Sequence, residues 1–360
     1  MSVFDHAEFD HHEAIHFFDD SSTGLRAIIA VHSTALGPAA GGCRRWQYTT
    51  DEEALTDVLR LSRSMTYKNA VAGLPFGGGK SVILASEDSP KSPQLFRAFG
   101  RAVDSLRGHY IAAEDVGINV DDMRLAREET RYISGLPQHG DSAGGDPSPW
   151  TALGVFLGIC AATKARLGKD SLEGLSVAIQ GVGHVGSLLC KMLAEAGAQI
   201  VVADVNRNNL RHVSEIPQVS GVSPRDILFH EVDILAPCAL GNVLNSETIP
   251  RIQATIIAGA ANNPLATEFD GQRLAERGIL FAPDYVINAG GVISVAREYL
   301  GRSSEDEVRA EVNRIPARLN EIFSEADTTG RPTNVVADEL ARRIVARAGG
   351  ATTTADRKIA

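Results

Sequence analysis

The sequence predicts an α/β protein of two domains, of which the second contains a doubly wound parallel sheet. Its 360 residues exceed the ~100–200 that one domain usually takes. In the second half of the chain, short apolar segments alternate with helical stretches, as in a parallel sheet covered by helices. A loop dense in Pro, Gly, Ser and Asp at 136–150 divides the halves. We therefore expect domains over residues 1–147 and 148–330, with a final helix over 331–360 packing back on the first domain.

The first domain is expected to begin with a buried strand, because "LRAIIAVHS" is apolar and β-branched. Apolar residues at every third or fourth position, after the capping residue Thr50 or Asp51, predict the first helix. The expected order is strand, glycine-rich turn, helix, glycine turn, strand, helix and strand, at residues 25–33, 37–46, 51–69, 77–79, 81–85, 93–108 and 109–118.

The second domain is expected to open with a long apolar helix over residues 151–168. Five short apolar segments bounded by turn residues then predict strands, at residues 175–180, 199–205, 233–238, 254–262 and 279–288. A turn opening into a helix follows the first strand, at residues 181–197. Amphipathic helices are predicted near the end of the sequence, at residues 307–323 and 336–349.

The charge of the chain bears on its partners. A formal net charge of −10, without a run of Lys or Arg, argues against nucleic-acid binding, since phosphate neutralisation needs a basic face. The N-terminus has neither the basic nor the apolar region of a signal peptide, and no segment approaches 18 uninterrupted apolar residues. We therefore expect a cytoplasmic protein that binds small molecules or other protein chains. We do not expect it to bind a membrane.

The cysteines and histidines do not predict a metal site. The cysteines are Cys43, Cys160, Cys190 and Cys238, which are widely separated and include no Cys-x-x-Cys pair. This pattern suits a reducing compartment. The N-terminal histidines lack the spacing of metal ligands, and we expect them in a half-buried strand-helix region: His6, His11, His12 and His16. No bound metal is predicted.

The stretch "GGGKS", ending in Lys80 and Ser81, resembles the phosphate-binding loop of nucleotide hydrolases. That motif requires a glycine at position 74, which is Leu74. It also requires a strand before the loop and a helix after it, whereas the order here is helix, glycines, strand. The sequence therefore disfavours ATP binding at Lys80.

A second glycine motif, Gly181, Gly183 and Gly186, spells G-x-G-x-x-G between a strand and a helix. In a dinucleotide-binding Rossmann domain these glycines permit the tight turn, the approach of the pyrophosphate and close helix packing. The next strand ends at Asp204, about 20 residues on, where an acid accepts the ribose hydroxyls. A carboxylate repels the 2′-phosphate of NADP, so the motif predicts NAD, although Arg207 nearby could accommodate a phosphate.

The first domain offers groups for chemistry beside such a cofactor. Lys68 and Lys80 flank the first glycine segment, and the pair Glu114 and Asp115 ends a predicted strand. Because Lys80 lies in an otherwise apolar stretch, we expect its ammonium to be partly desolvated.

Five motifs, in this order and at these separations, resemble those of the amino-acid dehydrogenases that act on glutamate, leucine, phenylalanine and valine, and most of all the leucine dehydrogenases. They are "YKNAVAGLPFGGGKSVI", "AAEDVG", "GVGHVG", "GAANNPL" and "NAGGVISVA". The similarity runs from about residue 12 to 349. It implies an N-terminal α/β domain for substrate binding and oligomerisation, a Rossmann NAD-binding domain, and an active-site cleft between them.

The resemblance also implies a reaction, the NAD-dependent oxidative deamination of an L-amino acid to the 2-oxo acid and ammonium, and its reverse. By the same match Lys68 binds the substrate carboxylate, Lys80 polarises the reacting centre, and Asp115 is the general acid and base. These residue types suit the chemistry, since a carboxylate and a developing oxyanion each need a cation, and proton transfer needs a carboxylate. Two ammonium groups nearby would keep Asp115 ionised. Homo-oligomers are expected from the family.

Further roles follow from the match alone. Gly41 and Gly42 let the substrate lie close to the backbone, and Asn262 or its neighbour Asn263 positions the nicotinamide and the substrate. Residues matched to substrate binding are Lys68, Gly41, Gly42, Met65, Asn262, Ala40, Ala113, Val292 and Val295. Residues matched to cofactor binding are Gly181, Gly183, His184, Val185, Gly186, Asp204, Ala260, Asn262 and Asn288.

The side chain that the substrate carries is less closely defined. Glutamate enzymes of the family place a lysine and a serine where this chain has Ala40 and Val295, which cannot pair a carboxylate, so glutamate is disfavoured. Ala113, Val292 and Val295 are similar to the aliphatic pocket of leucine and valine enzymes. Ala40 and Ser294 depart from the leucine pattern, and Ala40 removes part of the wall. Two alternatives stay open: a branched-chain amino acid, or phenylalanine or another bulky residue. Outside enzymes, a non-catalytic NAD-binding module needs only the glycine loop and Asp204.

Overall fold

The computed structural model describes residues 2–86, 90–136, 146–239, 241–301 and 304–356, and of residues 351–356 only the backbone. Most of the predicted interdomain loop, residues 137–145, lies outside the described residues. The chain divides into two compact units. The first comprises Met1–Gly145, Val295–Ser303 and Ala341–Ala360, and the second comprises Asp146–Ser294 and Ser304–Leu340.

The described residues of the first unit form one sheet of five strands: β1 (Ala14–Asp20), β2 (Leu25–Ser33), β3 (Ala39–Trp46), β4 (Gly77–Leu84) and β5 (Tyr110–Glu114). Their order across the sheet is β1-β2-β4-β3-β5. β1 and β4 run antiparallel to β2, whereas β3 runs parallel to both β4 and β5. The carboxyl ends of β3, β4 and β5 therefore lie at the same edge of the sheet.

Helices cover both faces of this sheet: α1 (Asp51–Val71), α2 (Pro93–Ser105) and α3 (Val120–Arg127). α1 begins after Thr50, whose side chain accepts a hydrogen bond from the Glu53 amide, a typical N-cap. Because successive strand residues alternate between faces, Ile28 and Val82 pack with α1, while Ile29 and Ile83 pack into the larger core with α2.

Two predictions for the first unit were wrong. Residues 37–46 and 77–79 were expected as glycine turns, but Ala39–Trp46 is β3, and Gly77 to Gly79 begin β4. These glycines do not bend the chain; they allow other groups to approach it. A Cβ at Gly78 would lie 2.0 Å from the amide nitrogen of Thr66 on α1, and one at Gly77 would lie 1.9 Å from the Ser33 carbonyl oxygen.

In the part of the second unit that the structure describes there are six strands: β6 (Ser176–Gln180), β7 (Gln199–Ala203), β8 (Val219–Gly221), β9 (Ile234–Pro237), β10 (Ile256–Ile257) and β11 (Leu280–Phe281). All neighbouring strands are parallel, in the order β11-β10-β9-β6-β7-β8. Counted from β6, this is the doubly wound order 3-2-1-4-5-6 read from the other edge. The predicted doubly wound parallel sheet is confirmed.

The remaining helices are α4 (Ser148–Leu167), α5 (His184–Glu195), α6 (Arg207–Arg211), α7 (Phe269–Glu276), α8 (Asp284–Ile287), α9 (Gly290–Tyr299), α10 (Glu305–Val312), α11 (Ile315–Thr329) and α12 (Thr333–Asp356). Short 3₁₀ helices lie at Val3–Asp5, Ile227–Phe229 and Ile249–Arg251. α9 and α12 each contain residues of both units. Arg342 in α12 donates a hydrogen bond to the Tyr67 hydroxyl, 2.9 Å away, within the first unit.

The strand predictions for the second unit differ from the structure in three places. β8 was not predicted, because it is only three residues long and carries a single large apolar residue. The strand expected over 254–262 is two residues long. The strand expected over 279–288 is also two residues long, and its second half forms α8, with Asp284 in the first turn. No helix in the described part of the chain has the length and apolarity that a membrane span requires.

Candidate active site

Lys80 and Asp115 form an ion pair in the first unit, in which Lys80 is buried and Asp115 is half-buried. Lys80 lies in β4 and is 6% exposed, and Asp115 directly follows β5. The Lys80 Nζ donates a hydrogen bond to the Asp115 Oδ2 at 2.6 Å. The expected desolvation of Lys80 is thus confirmed. Asp115 also lines an open cavity of about 580 Å³, and its side chain is 24% exposed, so that protons can exchange with solvent.

Gly42 makes this pair possible. It lies in β3, the strand between β4 and β5, and pairs with Ala113. A Cβ at Gly42 would lie 3.2 Å from the Lys80 Nζ and 2.9 Å from the Asp115 Cβ. The ammonium therefore reaches the carboxylate across a strand that has no side chain at the crossing point.

Arg44 is a second cation at Asp115, and the sequence reasoning missed it. Its Nε donates to the Asp115 Oδ2 at 3.2 Å, and its Nη1 donates to the Asp57 Oδ2 of α1 at 2.9 Å. The Tyr48 hydroxyl donates to the same Asp57 oxygen at 2.6 Å. The sequence feature that could have revealed Arg44 is its spacing of two residues from Gly42, which places both residues on one face of a strand. It was overlooked because the segment was predicted as a turn.

The charges at this site keep Asp115 ionised. Burial by itself would raise the pKa of Asp115, but the Lys80 ammonium, its hydrogen bond and the Arg44 guanidinium outweigh burial and hold the pKa below its ordinary value. The cations expected from the sequence were Lys68 and Lys80. Arg44 stands with Lys80 in the structure, and its own pKa is raised because Asp115 and Asp57 outweigh the effect of burial.

Three further residues matched to substrate binding, Lys68, Met65 and Gly41, belong to the first unit. Lys68 is in the last turn of α1, and Met65 lies three residues earlier in the same helix. Gly41 approaches that helix, since a Cβ there would lie 3.1 Å from the Met65 Cγ, and 1.8 Å from the Gly79 carbonyl oxygen. The space beside Gly41 is thus taken by the protein itself.

Small residues meet around Gly135. A Cβ built on Gly135 would lie 4.0 Å from the Ala113 Cβ and 4.0 Å from the Val295 Cγ1, so two residues of the expected side-chain pocket face the same glycine. Ala40 is in β3, one strand from Ala113. Gly135 was missed because it carries no side chain, and only a three-dimensional structure reveals what it faces. Val292 and Ser294 are in α9, in the part of that helix that belongs to the second unit.

The glycine loop of the second unit has the geometry of a dinucleotide site. Gly181 has φ +92°, and a Cβ at Gly186 would lie 2.0 Å from the Gly181 carbonyl oxygen, so neither tolerates a side chain. A Cβ at Gly183 would meet no atom within 4 Å. α5 begins at His184 and directs its first amides, including that of Val185, towards its N-terminus. The loop follows β6, at the point where the strand order reverses between β6 and β9.

Asp204 lies at the end of the neighbouring strand, β7. Its carboxylate accepts hydrogen bonds from the amides of Val182 at 2.9 Å and Asn206 at 2.7 Å, and from the Asn209 Nδ2 at 3.1 Å. Burial raises its pKa, but these hydrogen bonds outweigh burial and lower the pKa below the ordinary value. Asp204 is therefore a fixed anion. Arg207 is exposed at the start of α6.

Two asparagines of the second unit are joined by a side-chain hydrogen bond. The Asn288 Nδ2 donates to the Asn262 Oδ1 at 2.9 Å and to the Ala260 carbonyl oxygen at 3.2 Å. The backbone amide of Asn263 donates instead to Asp284, and its φ is +48°. Of the two alternatives left open, Asn262 is thus the one joined to Asn288. The Asn288 Oδ1 is buried without a hydrogen-bond partner in the described structure.

The histidines of the N-terminus are used structurally. The His12 Nε2 lies 3.1 Å from the Leu59 carbonyl oxygen and 3.0 Å from the Ser62 Oγ, and burial lowers the pKa of His12 to about 4. Within the described ranges, no group of three or more His, Cys, Asp or Glu is arranged to hold a metal ion.

Comparisons with known proteins identify the family of the chain. Residues 11–132 match the family model of the Glu/Leu/Phe/Val dehydrogenase dimerisation domain, and residues 146–208 and 202–351 match that of Glutamate/Leucine/Phenylalanine/Valine dehydrogenase. Leucine dehydrogenase of Thermoactinomyces intermedius is 48% identical over 342 residues, which cover 95% of this chain and 93% of the relative. Phenylalanine dehydrogenase of Bacillus thermotolerans is 46% identical over 342 residues, which cover 93% of this chain and 89% of the relative.

A solved structure shares the whole fold. The crystal structure of L-tryptophan dehydrogenase from Nostoc punctiforme superimposes with a TM-score of 0.84 at 45% identity, covering 94% of this chain and 97% of the other. The family expected from five motifs is confirmed by models that together span both units. This chain belongs to the glutamate, leucine, phenylalanine and valine dehydrogenase family and is an amino-acid dehydrogenase.

Proposed function

We propose that the protein catalyses the NAD-dependent oxidative deamination of an apolar L-amino acid, similar to leucine, valine or isoleucine, and the reverse reductive amination. The products are the 2-oxo acid, ammonium, NADH and a proton. The observation that carries the proposal is the partly buried ion pair of Lys80 and Asp115, which places a cation and a proton acceptor 2.6 Å apart. This pair occurs in a chain that also carries a dinucleotide-binding glycine loop.

The residues of the first unit divide the chemistry among them. Lys68 binds the substrate carboxylate, and Asp115 accepts a proton from the water that adds to the imine carbon and donates it to the carbinolamine nitrogen. Lys80 stabilises the negative charge that develops on the oxygen as Asp115 takes the hydroxyl proton and ammonia leaves, and that proton passes to the ammonia. The same residues act in reverse order in reductive amination. A nicotinamide held by the second unit would supply the remaining chemistry, as the acceptor of the hydride from the substrate Cα.

The second unit fits the cofactor. Gly183 has open space where a pyrophosphate approaches the backbone, and the amides of His184 and Val185 stand at the N-terminus of α5. The unpartnered Asn288 Oδ1 suits the carboxamide of the nicotinamide, with Asn262 and Ala260 beside it.

Asp204 favours NAD over NADP. It is an anion fixed by three hydrogen bonds, and a second anion, the 2′-phosphate, would lie against it. Free 2′-hydroxyl and 3′-hydroxyl groups can instead donate to its oxygens. Arg207 is exposed and would be the residue that permits any residual use of NADP.

The substrate side chain is apolar. Ala40, Ala113 and Val295 offer no charge to pair a distal carboxylate, which would be costly to desolvate. A bulky aromatic amino acid is the alternative, favoured by the convergence of Ala113 and Val295 on Gly135, where no side chain closes the space. Relatives named phenylalanine and L-tryptophan dehydrogenase are consistent with that alternative.

We further propose a homo-oligomer that assembles through the first unit. Residues 11–132 match a domain described as a dimerisation domain. Light scattering on the purified protein should give a mass at least twice the 38.3 kDa of the chain. A mass equal to one chain at micromolar concentration would contradict this.

One spectrophotometric experiment tests the activity. The protein is mixed with NAD and each of a panel of L-amino acids that includes leucine, valine, isoleucine, phenylalanine, tryptophan and glutamate, and NADH formation is followed. We expect the highest kcat/KM for a branched-chain amino acid, and Lys80→Ala should lower it about 100-fold or more, as when a preorganised charge is removed from an oxyanion site. The control is Lys164→Ala, which removes a surface pair with Asp170.

Each alternative has its own outcome in this experiment. Absence of NADH with every apolar L-amino acid would contradict the proposal, and if NADH still bound, the chain would be a non-catalytic NAD-binding module. Greater activity with phenylalanine or tryptophan would select the bulky alternative. ATP hydrolysis that Lys80→Ala abolishes would restore the phosphate-loop interpretation.

A further inference from the structure

The structure connects the proposed general base to the helix α1 through a chain of side chains. Asp57 lies in α1 between residues of its buried face, Ala54 and Val58, so its position is fixed by packing. It accepts hydrogen bonds from Tyr48 and Arg44, and Arg44 in turn donates to Asp115. The guanidinium thus bridges two carboxylates, for which its planar fork of donors is suited.

Lys80 and Arg44 donate to the same oxygen of Asp115, Oδ2. Their other contacts differ, however. In the proposed reaction Lys80 must also serve the oxyanion of the substrate, whereas Arg44 is held from behind by Asp57. One cation is therefore assigned to the substrate, and the other can stay with the carboxylate while Asp115 gains and loses a proton.

We propose that Arg44 is a positioning residue, which holds the Asp115 carboxylate in place and ionised through its bridge to Asp57. This inference rests on the proposed function, because it concerns the residue assigned there as general base. It requires no contact between Arg44 and the substrate. It also gives the Tyr48 hydroxyl a role, since that group fixes the Asp57 oxygen to which Arg44 is bound.

The inference has a pH-dependent consequence. Burial acts to raise the pKa of Asp115, and Arg44 is one of the groups that oppose it. Without Arg44, the carboxylate would take up a proton at a higher pH, so activity that requires the ionised base would fail at a higher pH. The charged or titratable groups that face Asp115 or line its cavity from the neighbouring elements are Lys80, Arg44, Tyr48, Asp57, Cys43, Tyr110, Glu114 and Asp121.

The test compares Arg44→Gln with the wild type over the range pH 3 to 10, which includes the acid limb of a carboxylate, by the kcat and kcat/KM of NADH formation. We expect the acid limb of the kcat/KM profile to move up by about 1 pH unit, which is the effect of one nearby opposite charge. We expect kcat to fall about 10-fold or more and the KM of the amino acid to change less. Arg44→Lys keeps the charge but not the bridging fork, and should restore the acid limb more fully than it restores kcat.

Arg26→Gln is the matched control. It removes one positive charge from the same sheet, at an exposed arginine of β2 that pairs with Asp51 and Asp19, and should leave the profile unchanged. Thermal melting establishes that each variant is folded, and if Arg44→Gln is not, Arg44→Lys and its split between kcat and KM carry the test.

The outcomes separate this inference from the proposed function. No NADH from the wild type would count against the function. An active wild type with an unmoved acid limb in folded Arg44→Gln would overturn the inference, because the residue would then be merely structural. A large rise in KM with kcat unchanged would also overturn it, because Arg44 would then bind the substrate.

Discussion

At the scale of single residues, the site depends on an absent side chain as much as on charged ones. Lys80 reaches Asp115 only because the intervening strand has glycine at position 42. A Cβ there would also lie 2.9 Å from the Glu114 carbonyl oxygen, so backbone as well as side chains would have to move. Glycine at this position is therefore required by the ion pair, before any substrate is considered.

We expect Gly42→Ala to separate Lys80 from Asp115 and to lower kcat/KM about 10-fold or more, since small displacements at a catalytic group cost large factors. The measurement is NADH formation with the preferred amino acid. Gly221→Ala is the control, because a Cβ at that glycine would meet no atom within 4 Å. Unchanged activity in Gly42→Ala would show that the pair does not need this gap.

The residues that could be predicted from the sequence are those with recognisable neighbours in the chain. Lys80 and Asp115 stand in motifs, and both were identified. Arg44 was not identified, because its partner Asp115 is 71 positions away and its own segment was predicted as a turn. Gly135 was not identified, because its importance depends on the residues that it faces in the folded structure. Single-sequence patterns report local spacing, whereas these two residues act through tertiary contacts.

At the scale of elements, glycine-rich segments were the main source of error. Glycine disfavours strands on average, and clusters of it mark turns, so β3 and the start of β4 were predicted as turns. These glycines nevertheless lie in strands, because each leaves room for a neighbouring group that a side chain would displace. Gly78 admits Thr66 of α1, and Gly79 admits the Tyr110 ring, which a Cβ would approach within 2.7 Å. The helices predicted over 51–69 and 151–168, by contrast, agree with α1 and α4 to within three residues at each end. The single helix predicted over 307–323 was wrong, because α10 ends at Val312 and α11 begins at Ile315, with a proline in its first turn.

Gly78→Ala tests this interpretation of β4. The new Cβ would lie 2.0 Å from the Thr66 amide nitrogen and 2.1 Å from its hydroxyl oxygen, so α1 must move. Overpacking of this kind costs about 1–3 kcal/mol, and more where backbone is involved. We expect urea unfolding to show a free energy of unfolding lower by about 3 kcal/mol than in the wild type. A loss below about 0.5 kcal/mol, the size of an ordinary surface substitution, would contradict the close packing of α1 on β4.

At the scale of the whole molecule, the strand order of the second unit places the glycine loop where a ligand can bind. β6 has β7 on one side and β9 on the other. The loops that follow these strands therefore lead to opposite sides of β6, and they diverge at Gly181. The order was predictable as a class from alternating strands and helices. The lengths of β10 and β11 were not, because two paired residues leave almost no periodic signal.

Two glycines of this loop allow structure and cofactor binding to be separated. Gly183→Ala places a Cβ where no protein atom lies, so the melting temperature of the free protein should stay within about 2 °C of the wild type. NADH at saturating concentration should raise the melting temperature of the wild type, since a ligand stabilises the state that binds it, and should raise that of Gly183→Ala far less.

Gly186→Ala is the contrasting variant. Its Cβ would lie 2.0 Å from the Gly181 carbonyl oxygen, so the free protein should already melt lower. An equal NADH-induced rise in Gly183→Ala and the wild type would count against pyrophosphate binding at this loop.

The composition of the first unit also has a consequence for biosynthesis. Residues 341–360 belong to that unit, and Arg342 there bonds to Tyr67, the residue before Lys68. The ribosome makes Arg342 almost two hundred residues after Gly145, at which most of the unit is already present. At the usual ~5–20 residues per second, a delay of roughly 10–40 s separates the two. During this delay the nascent first unit lacks its last helical segment. Its sheet, including the β1–β2 hairpin, must therefore stay folded until that segment has been synthesised.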